Sequence, residues 1–449
     1  MARKAITDDR QRRRQHWAWY MYDFGNSAYA AVILLAVYSA YFKGTVVGGV
    51  EGSRLWGLAL GSAMLVVAIL SPFLGAIADF AASKKRMLLV FSALSWVFTA
   101  LLFFVQKGNI WMGFLFFMLA EIGYRGGQVF YNALLPEIAS PDEMGKVSGN
   151  GWAIGSIGGI VCLLFILPFI ILTKTNPAVN GLVVRGSFAF TAIFFALSAS
   201  LLFFRVKETR KGNSLPPGES YLSMAVKRLV STIKAVRHFR QFLTFIIAFL
   251  IYNDGILMAL DFAAIIGAVL FGMNQTQLII FMIVVQVTSA VGAWLFGLVG
   301  EKVGFKKSLI ASLILMIAAV IWMVFAKNLN TYFIIGALAG FALTGVQSLS
   351  RTMTSLFAPE AKAAEFFSFF AVAGKSSSFL GPTIFGLLSA AVATRMEAQG
   401  IDVTLAEQYG TRTGTVTMAI FMVIGLVILV FVNEKRARKA AEEYVPSTE

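Results

Sequence analysis

Seven ionisable side chains fall inside long apolar stretches of this sequence: Asp23, Glu121, Arg125, Asp254, Asp261, Arg351 and Lys375. In hydrocarbon one such charge costs about 2.5–3.5 kcal/mol on insertion scales, so each needs a partner or a task. Glu121 and Arg125 stand one helical turn apart, which admits two readings, a mutual ion pair or a pair of ligands for a polar solute. Asp254 and Asp261 share one stripe of a helix and suit the binding and release of a proton or cation. Asp23 lies about 9 Å into its apolar run, near one membrane face, and Arg351 approaches the end of its own run. Lys375 precedes Ser376, Ser377 and Ser378, a polar side that serves a solute or close helix packing equally well. Four acids against three bases leave the interior nearly neutral, which fits a zwitterion better than a strongly charged anion.

The elements that must hold these residues are membrane helices. Hydrophobic residues make up 58% of the chain and charged residues 14%, against about 45–50% and about 25% in soluble domains. Apolar periodicity and length place twelve spans at 17–42, 55–77, 87–105, 110–135, 147–172, 186–204, 242–271, 278–299, 308–325, 331–356, 365–393 and 416–432. The first is too long for a signal sequence and has no small-residue cleavage site, so it reads as a retained span. With the N-terminus in the cytoplasm, 27 Lys and Arg fall on cytoplasmic segments and 8 on external ones. The net charge of +15 therefore orients the protein in a membrane and does not point to nucleic acid. Trp17, Trp19, Tyr20 and Trp56 open spans and are expected at the lipid interface, whereas Tyr22, Tyr29 and Tyr131 are expected to line a pocket.

The longest polar interruption, 205–241, separates an N-terminal half (1–204) from a C-terminal half (242–449). It begins as a turn-rich linker and continues as an amphipathic segment. Leu222, Val226, Leu229, Ile233 and Val236 lie on one face and basic residues on the other, so it is expected to rest on the inner membrane surface. The two halves repeat each other. Tyr22-Asp23-Phe24-Gly25 is matched by Tyr252-Asn253-Asp254-Gly255. Gly75, Asp79, Lys84 and Lys85 are matched at identical spacing by Gly297, Glu301, Lys306 and Lys307. Glu121 and Arg125, followed by Pro136-Glu137, are matched by Gln347 and Arg351, followed by Pro359-Glu360. Three correspondences in the same order indicate a duplication of six spans.

The loop Gly75-x3-Asp79-x4-Lys84-Lys85 resembles the signature loop of the major facilitator superfamily, and its repeat strengthens the likeness. Basic anchoring at the headgroups explains a single copy, whereas matched copies favour an inner-face ion network that latches one conformation. Further stretches resemble one branch of that superfamily, the yeast vacuolar amino-acid effluxers linked to autophagy and their bacterial relatives. They are residues 22–29 and 130–137, Tyr252-Asn253-Asp254-Gly255, Gln347-Ser348-Leu349-Ser350-Arg351, and residues 365–382 around Gly374-Lys375 and Gly381-Pro382. The chain departs from that branch at Phe24-Gly25, where Trp-Ala is common, and at Ile256-Leu257-Met258, where polar residues are usual.

The resemblance implies an all-α integral membrane protein of the major facilitator fold, with twelve helices in two pseudo-symmetric six-helix bundles. It implies efflux of an amino-acid-like metabolite by alternating access, coupled to a proton or other ion or facilitative, from a monomer in the bacterial inner membrane with both termini cytoplasmic. Residues assigned to the substrate or proton pathway are Asp23, Asn26, Glu121, Arg125, Tyr131, Asn132, Asn253, Asp254, Asp261, Gln347, Arg351 and Lys375. Those assigned to the gate are Gly75, Asp79, Lys84, Lys85, Gly297, Glu301, Lys306 and Lys307. Partners are a small-molecule solute and membrane lipid, with no nucleic acid. One cysteine and two histidines give no basis for a metal centre, and no cofactor is implied. The chain lacks a P-loop and a Gly-x-Ser-x-Gly elbow, so neither ATP-driven pumping nor hydrolase chemistry is expected. The rival readings are an exporter of amphipathic compounds and a non-transporting membrane sensor.

Overall fold

The structure is a computed structural model. It describes residues 2–80, 84–139, 141–206, 223–224, 226–227, 230, 236, 239–359, 366–367, 369–370, 373–374 and 378–444. Those residues contain helices and turns and no strand. The helices are α1 (Ala2–Tyr29), α2 (Gly49–Phe80), α3 (Lys84–Leu101), α4 (Ile110–Ala133), α5 (Pro141–Thr173) and α6 (Pro177–Arg205). There follow α7 (Arg240–Asp261), α8 (Gln275–Val303), α9 (Phe305–Phe325), α10 (Leu329–Phe357), α11 (Leu380–Ala398), α12 (Val403–Phe431) and a terminal α13 (Glu434–Glu442).

Ten helical stretches among the described residues are long and apolar enough to cross a membrane. α4 has the length to join them, but Glu121 and Arg125 with the polar residues behind them lower its hydropathy. The expected eleventh span falls partly outside the described residues, which resume its course at α11. The amphipathic stretch expected near 222–236 also lies largely outside them. Large apolar side chains stand exposed along the helices, including Trp111, Leu172, Trp294 and Phe431. Water would penalise such a surface, whereas lipid accepts it.

Local sequence sets the helix boundaries. Asn176 and Asn328 cap α6 and α10 by accepting from the backbone N–H of Val179 and Thr331, and Asp402 caps α12 by accepting from Thr404. Gly304 joins α8 to α9 at φ +103°, a conformation that side chains with a Cβ resist. Beyond Tyr29, the first span continues as two π-helical segments, Ala30–Ala36 and Phe42–Val47, that flank Tyr38–Tyr41. Together with α1 they make a stretch from Arg10 to Val47.

The chain forms two compact units. One comprises Met1–Gly48, Ser62–Ala225 and Gln275–Ile279, and the other Gly49–Gly61, Val226–Asn274 and Ile280–Glu449. In the first, α1 packs on α5 and α6, and α3 on α4 and α6. In the second, α7 packs on α11 and α12, and α9 on α10 and α12. The packing graph is thus repeated.

Matched glycines make the repeat visible in atomic detail. A Cβ on Gly25 of α1 would lie 2.9 Å from the Phe195 backbone of α6, and one on Gly255 of α7 would lie 2.7 Å from the Met418 carbonyl of α12. Gly158 of α5 abuts the Phe24 carbonyl, and Gly381 of α11 abuts the Asp254 carbonyl. Each half therefore clamps its first helix from two sides at the Tyr-Asp/Asn segment. Removing the Cβ lets the backbones approach, as in other membrane helix pairs.

Candidate functional site

Glu121 of α4 is fully buried, and both its oxygens are engaged. Oε1 accepts from Arg125 Nε at 2.6 Å, and Oε2 accepts from the hydroxyl of Tyr29 at 3.0 Å. The Tyr29 ring stacks on Tyr124 with centroids 4.6 Å apart, and the Arg125 guanidinium lies 5.7 Å from the same ring. Of the two readings of Glu121 and Arg125, the structure displays the ion pair. Arg125 nevertheless keeps 25% of its side chain exposed. The first π-helical segment begins at Ala30, directly after Tyr29, and such bulges often mark working parts of a membrane helix.

A second cluster stands nearer the start of α1. Trp19 stacks on Tyr131 at 4.3 Å, and Tyr22 stacks on Tyr131 at 4.8 Å. Trp19 Nε1 donates to the Tyr131 carbonyl, the Tyr131 hydroxyl donates to the Trp19 carbonyl, and the Tyr22 hydroxyl is bonded to Ser92 Oγ at 2.8 Å. These polar handles are satisfied inside the unit, so Tyr22 and Tyr131 form a packing column that joins α1, α3 and α4. Trp19 and Trp56, expected at the lipid interface, are buried, and Trp56 Nε1 donates to the Asp261 carbonyl. Trp17 alone of that set of tryptophans is widely exposed, at 57%.

The remaining polar candidates divide by burial. Asn26 lies between Tyr22 and Tyr29 on α1 and is buried, and its Oδ1 has no hydrogen-bond partner among the described residues. Asp23 faces α5, where a Cβ on Gly155 would come within 2.6 Å of its carboxylate. Asn132 is exposed. In the second unit Asn253, Asp254 and Asp261 are buried on α7, and the Tyr252 hydroxyl is bonded to Ser350 Oγ at 2.7 Å. Gln347 is half-buried and Arg351 exposed, so the second-half counterpart of Glu121–Arg125 is not a buried pair. Lys375 lies outside the described residues.

The basic loops hold helix ends. Lys84 pairs with Glu137 at 2.7 Å, with the Glu137 side chain 1% exposed. Lys85 donates to the Val206 carbonyl at the end of α6, and Lys306 donates to the Val430 carbonyl near the end of α12. A lysine at the start of the third helix of each half thus caps the sixth, where the carbonyls carry the negative end of the helix dipole. Glu301 and Lys307 are exposed. Gly75 and Asp79 lie in the last turns of α2 and Gly297 in α8, and nothing further is described of them.

Sequence reasoning missed a matched pair at the opposite helix ends. Arg185 of α6 donates to the Phe103 carbonyl beyond α3 at 3.4 Å. Arg412 of α12 donates to the carbonyls of Val324 and Ala326 at the end of α9. Spans expected at 186–204 and 416–432 leave both residues on external segments. The capping signals Asn176-Pro177 and Asp402 already marked an earlier helix start.

The chain and its fold have counterparts among known proteins. The profile of the family described as "Vacuole effluxer Atg22 like" matches residues 58–442. The chain belongs to this family. Among relatives, the uncharacterized MFS-type transporter YxiO of Bacillus subtilis (strain 168) is 26% identical over 436 residues, covering 96% of this chain and 97% of that protein. Autophagy-related protein 22-1 of Aspergillus niger is 24% identical over 322 residues, covering 66% of this chain and 48% of the fungal protein, so the chain matches about half of that relative's length. A bacterial homolog of the human lysosomal transporter Spinster, solved in an inward-facing and unoccupied conformation, superposes with TM-score 0.69 at 16% identity and covers 98% of this chain and 99% of its own. The Atg22-like chain is therefore a multi-pass membrane transporter of the major facilitator type.

Proposed function

We propose that this Atg22-like protein is a secondary transporter that exports a small, amino-acid-like solute by alternating access. The observation that carries the reading is the buried cluster of Glu121, Arg125 and Tyr29, a charged and hydrogen-bonded centre inside a membrane helix bundle. Such a centre is expensive to keep in lipid, and it is oriented by its own partners rather than by water. Its acid and base together carry no net charge, which suits a solute bearing both an ammonium and a carboxylate. Asn26 offers a buried acceptor on the same helix as Tyr29. Asn253, Asp254 and Asp261 supply buried polar groups in the other half, and Asp254 and Asp261 are the sites assigned to a coupling ion. Membership in a family of vacuole effluxer-like proteins supports the direction of transport. The chain works as a monomer in the cytoplasmic membrane, with both termini inside and no enzymatic step of its own.

Uptake and counterflow in proteoliposomes test this reading. Glu121→Gln and Asp254→Asn should each lower the rate by at least tenfold without loss of folded protein, and wild-type rates in both would refute the assignment. The solute itself is found by a thermal-shift screen of amino acids, peptides and organic acids, because a ligand at a hundred times its Kd stabilises the folded state by about 2.7 kcal/mol.

A further inference from the structure

One cavity lies away from these clusters, at the end of the second unit opposite Asn433. Phe325, Lys327, Leu405, Gln408, Tyr409 and Arg412 are among the residues that line it, and its volume is about 300 Å³. Its depth in the membrane follows from helix lengths. α9 has 21 residues and α12 has 29, or about 32 Å and about 43 Å, against a hydrocarbon core of about 30 Å. α9 thus ends at the core boundary near Phe325, and the first turns of α12 stand beyond it. The bonds from Arg412 to Val324 and Ala326 hold the two helices in that register. The cavity sits in the headgroup layer.

The lining has one chemical character. Two cations face it, Lys327 and Arg412, and no acid is among its lining residues. Arg412 has five N–H donors and places two of its nitrogens on helix carbonyls, so donor capacity remains. Lys327 is exposed. Gln408 and Tyr409 add an amide and a phenol. Phe325, 73% exposed, and Leu405, 45% exposed, form an apolar lip beside them. Only 8 of 38 basic residues belong to this side of the membrane by the charge count above, and two of them converge here.

The first half provides an internal comparison. Arg185 there donates to two carbonyls, of Gly181 and Phe103, and its guanidinium lies 5.6 Å from the Phe103 ring, while Lys107 holds the place of Lys327. Arg185 caps its own helix ends with two of its nitrogens, as Arg412 does. Arg412 also opens onto a cavity.

We propose that this cavity binds the phosphodiester headgroup of an anionic phospholipid, with Arg412 and Lys327 supplying the charge and the apolar lip receiving the start of the acyl chains. The proposal needs only the membrane fold and does not depend on the transport reading.

The test is thermal unfolding of the purified protein in neutral detergent, titrated with phosphatidylglycerol, phosphatidylcholine or inorganic phosphate. Phosphatidylglycerol should raise the Tm above the level reached with phosphatidylcholine, and inorganic phosphate should leave it unchanged. Lys327→Ala should raise the phosphatidylglycerol concentration for half-maximal stabilisation by about fivefold, the effect of losing one cation at a headgroup. Lys107→Ala should leave it unchanged. Native mass spectrometry of the same samples reads lipid retention directly, so a lower starting Tm in Lys327→Ala would not mask the result. Equal stabilisation by phosphatidylcholine, full stabilisation by inorganic phosphate alone, or an unaltered response in Lys327→Ala would each overturn the proposal.

Discussion

Glu121 illustrates how a single charge is kept inside a membrane bundle. Its two oxygens meet two different donors, one on its own helix and one on α1, so the carboxylate is oriented before any solute arrives. Removing one partner leaves a buried charge poorly compensated, whereas removing both charges together does not. Arg125→Met should therefore destabilise the protein by about 3 kcal/mol, the lower end for a broken buried pair, because Arg125 is a quarter exposed. The double variant Glu121→Gln/Arg125→Met should recover much of that loss, and Tyr29→Phe should cost about 1.5–3 kcal/mol. Thermal unfolding in detergent gives the ranking, and additive losses in the double variant would rule out the pairing. The sequence made this pair legible because one helical turn separates its members. It did not reveal Tyr29, which stands 92 positions away from Glu121, and no local periodicity records such a contact. The same holds for the Trp19–Tyr131 column: both residues read as membrane-interface or pocket aromatics until their partners are known.

At the scale of the helix, the duplication is carried by glycines as much as by charges. Gly158 and Gly381 hold the same place in the two halves, yet they face different obstacles. A Cβ on Gly158 meets the Phe24 backbone, which can move only if α1 moves. On Gly381 the nearest atom, at 2.9 Å, is Met258 Cγ, part of a flexible side chain. Gly158→Ala should accordingly cost about 1–3 kcal/mol or more through overpacking, and Gly381→Ala should cost less. Gly149→Ala in the same helix as Gly158 meets nothing within 4 Å and should be neutral or stabilising by up to about 1 kcal/mol. Folded yield and Tm across the three variants check the order, and a neutral Gly158→Ala would show that α1 and α5 do not pack as described. The polar starts of α6 and α12 show why hydropathy misjudged these elements. Each helix runs several residues beyond the apolar window, and Arg185 and Arg412 lie in that extension, where they cap neighbouring helices instead of occupying loops.

For the whole chain, composition settled the solvent, and internal repetition settled the architecture. Both are averages over many residues and survive local errors, which is why the helices follow the expected order while individual starts differ, in α12 by 13 residues, from 416 to Val403. Orientation rests on a weaker average, the distribution of Lys and Arg, and it can be tested independently. Cys162 is fully buried against Thr191 and is the sole cysteine of the chain, so labelling by a maleimide should be low in the folded protein. Lys107→Cys and Lys439→Cys, both exposed, then place reporters on segments that the charge pattern assigns to opposite membrane faces. With the termini inside, a membrane-impermeant maleimide should label Lys107→Cys in intact cells and reach Lys439→Cys only after permeabilisation. The reverse pattern would invert the protein, turn the basic loops outward, and place the Arg412 cavity in the inner leaflet rather than the outer one.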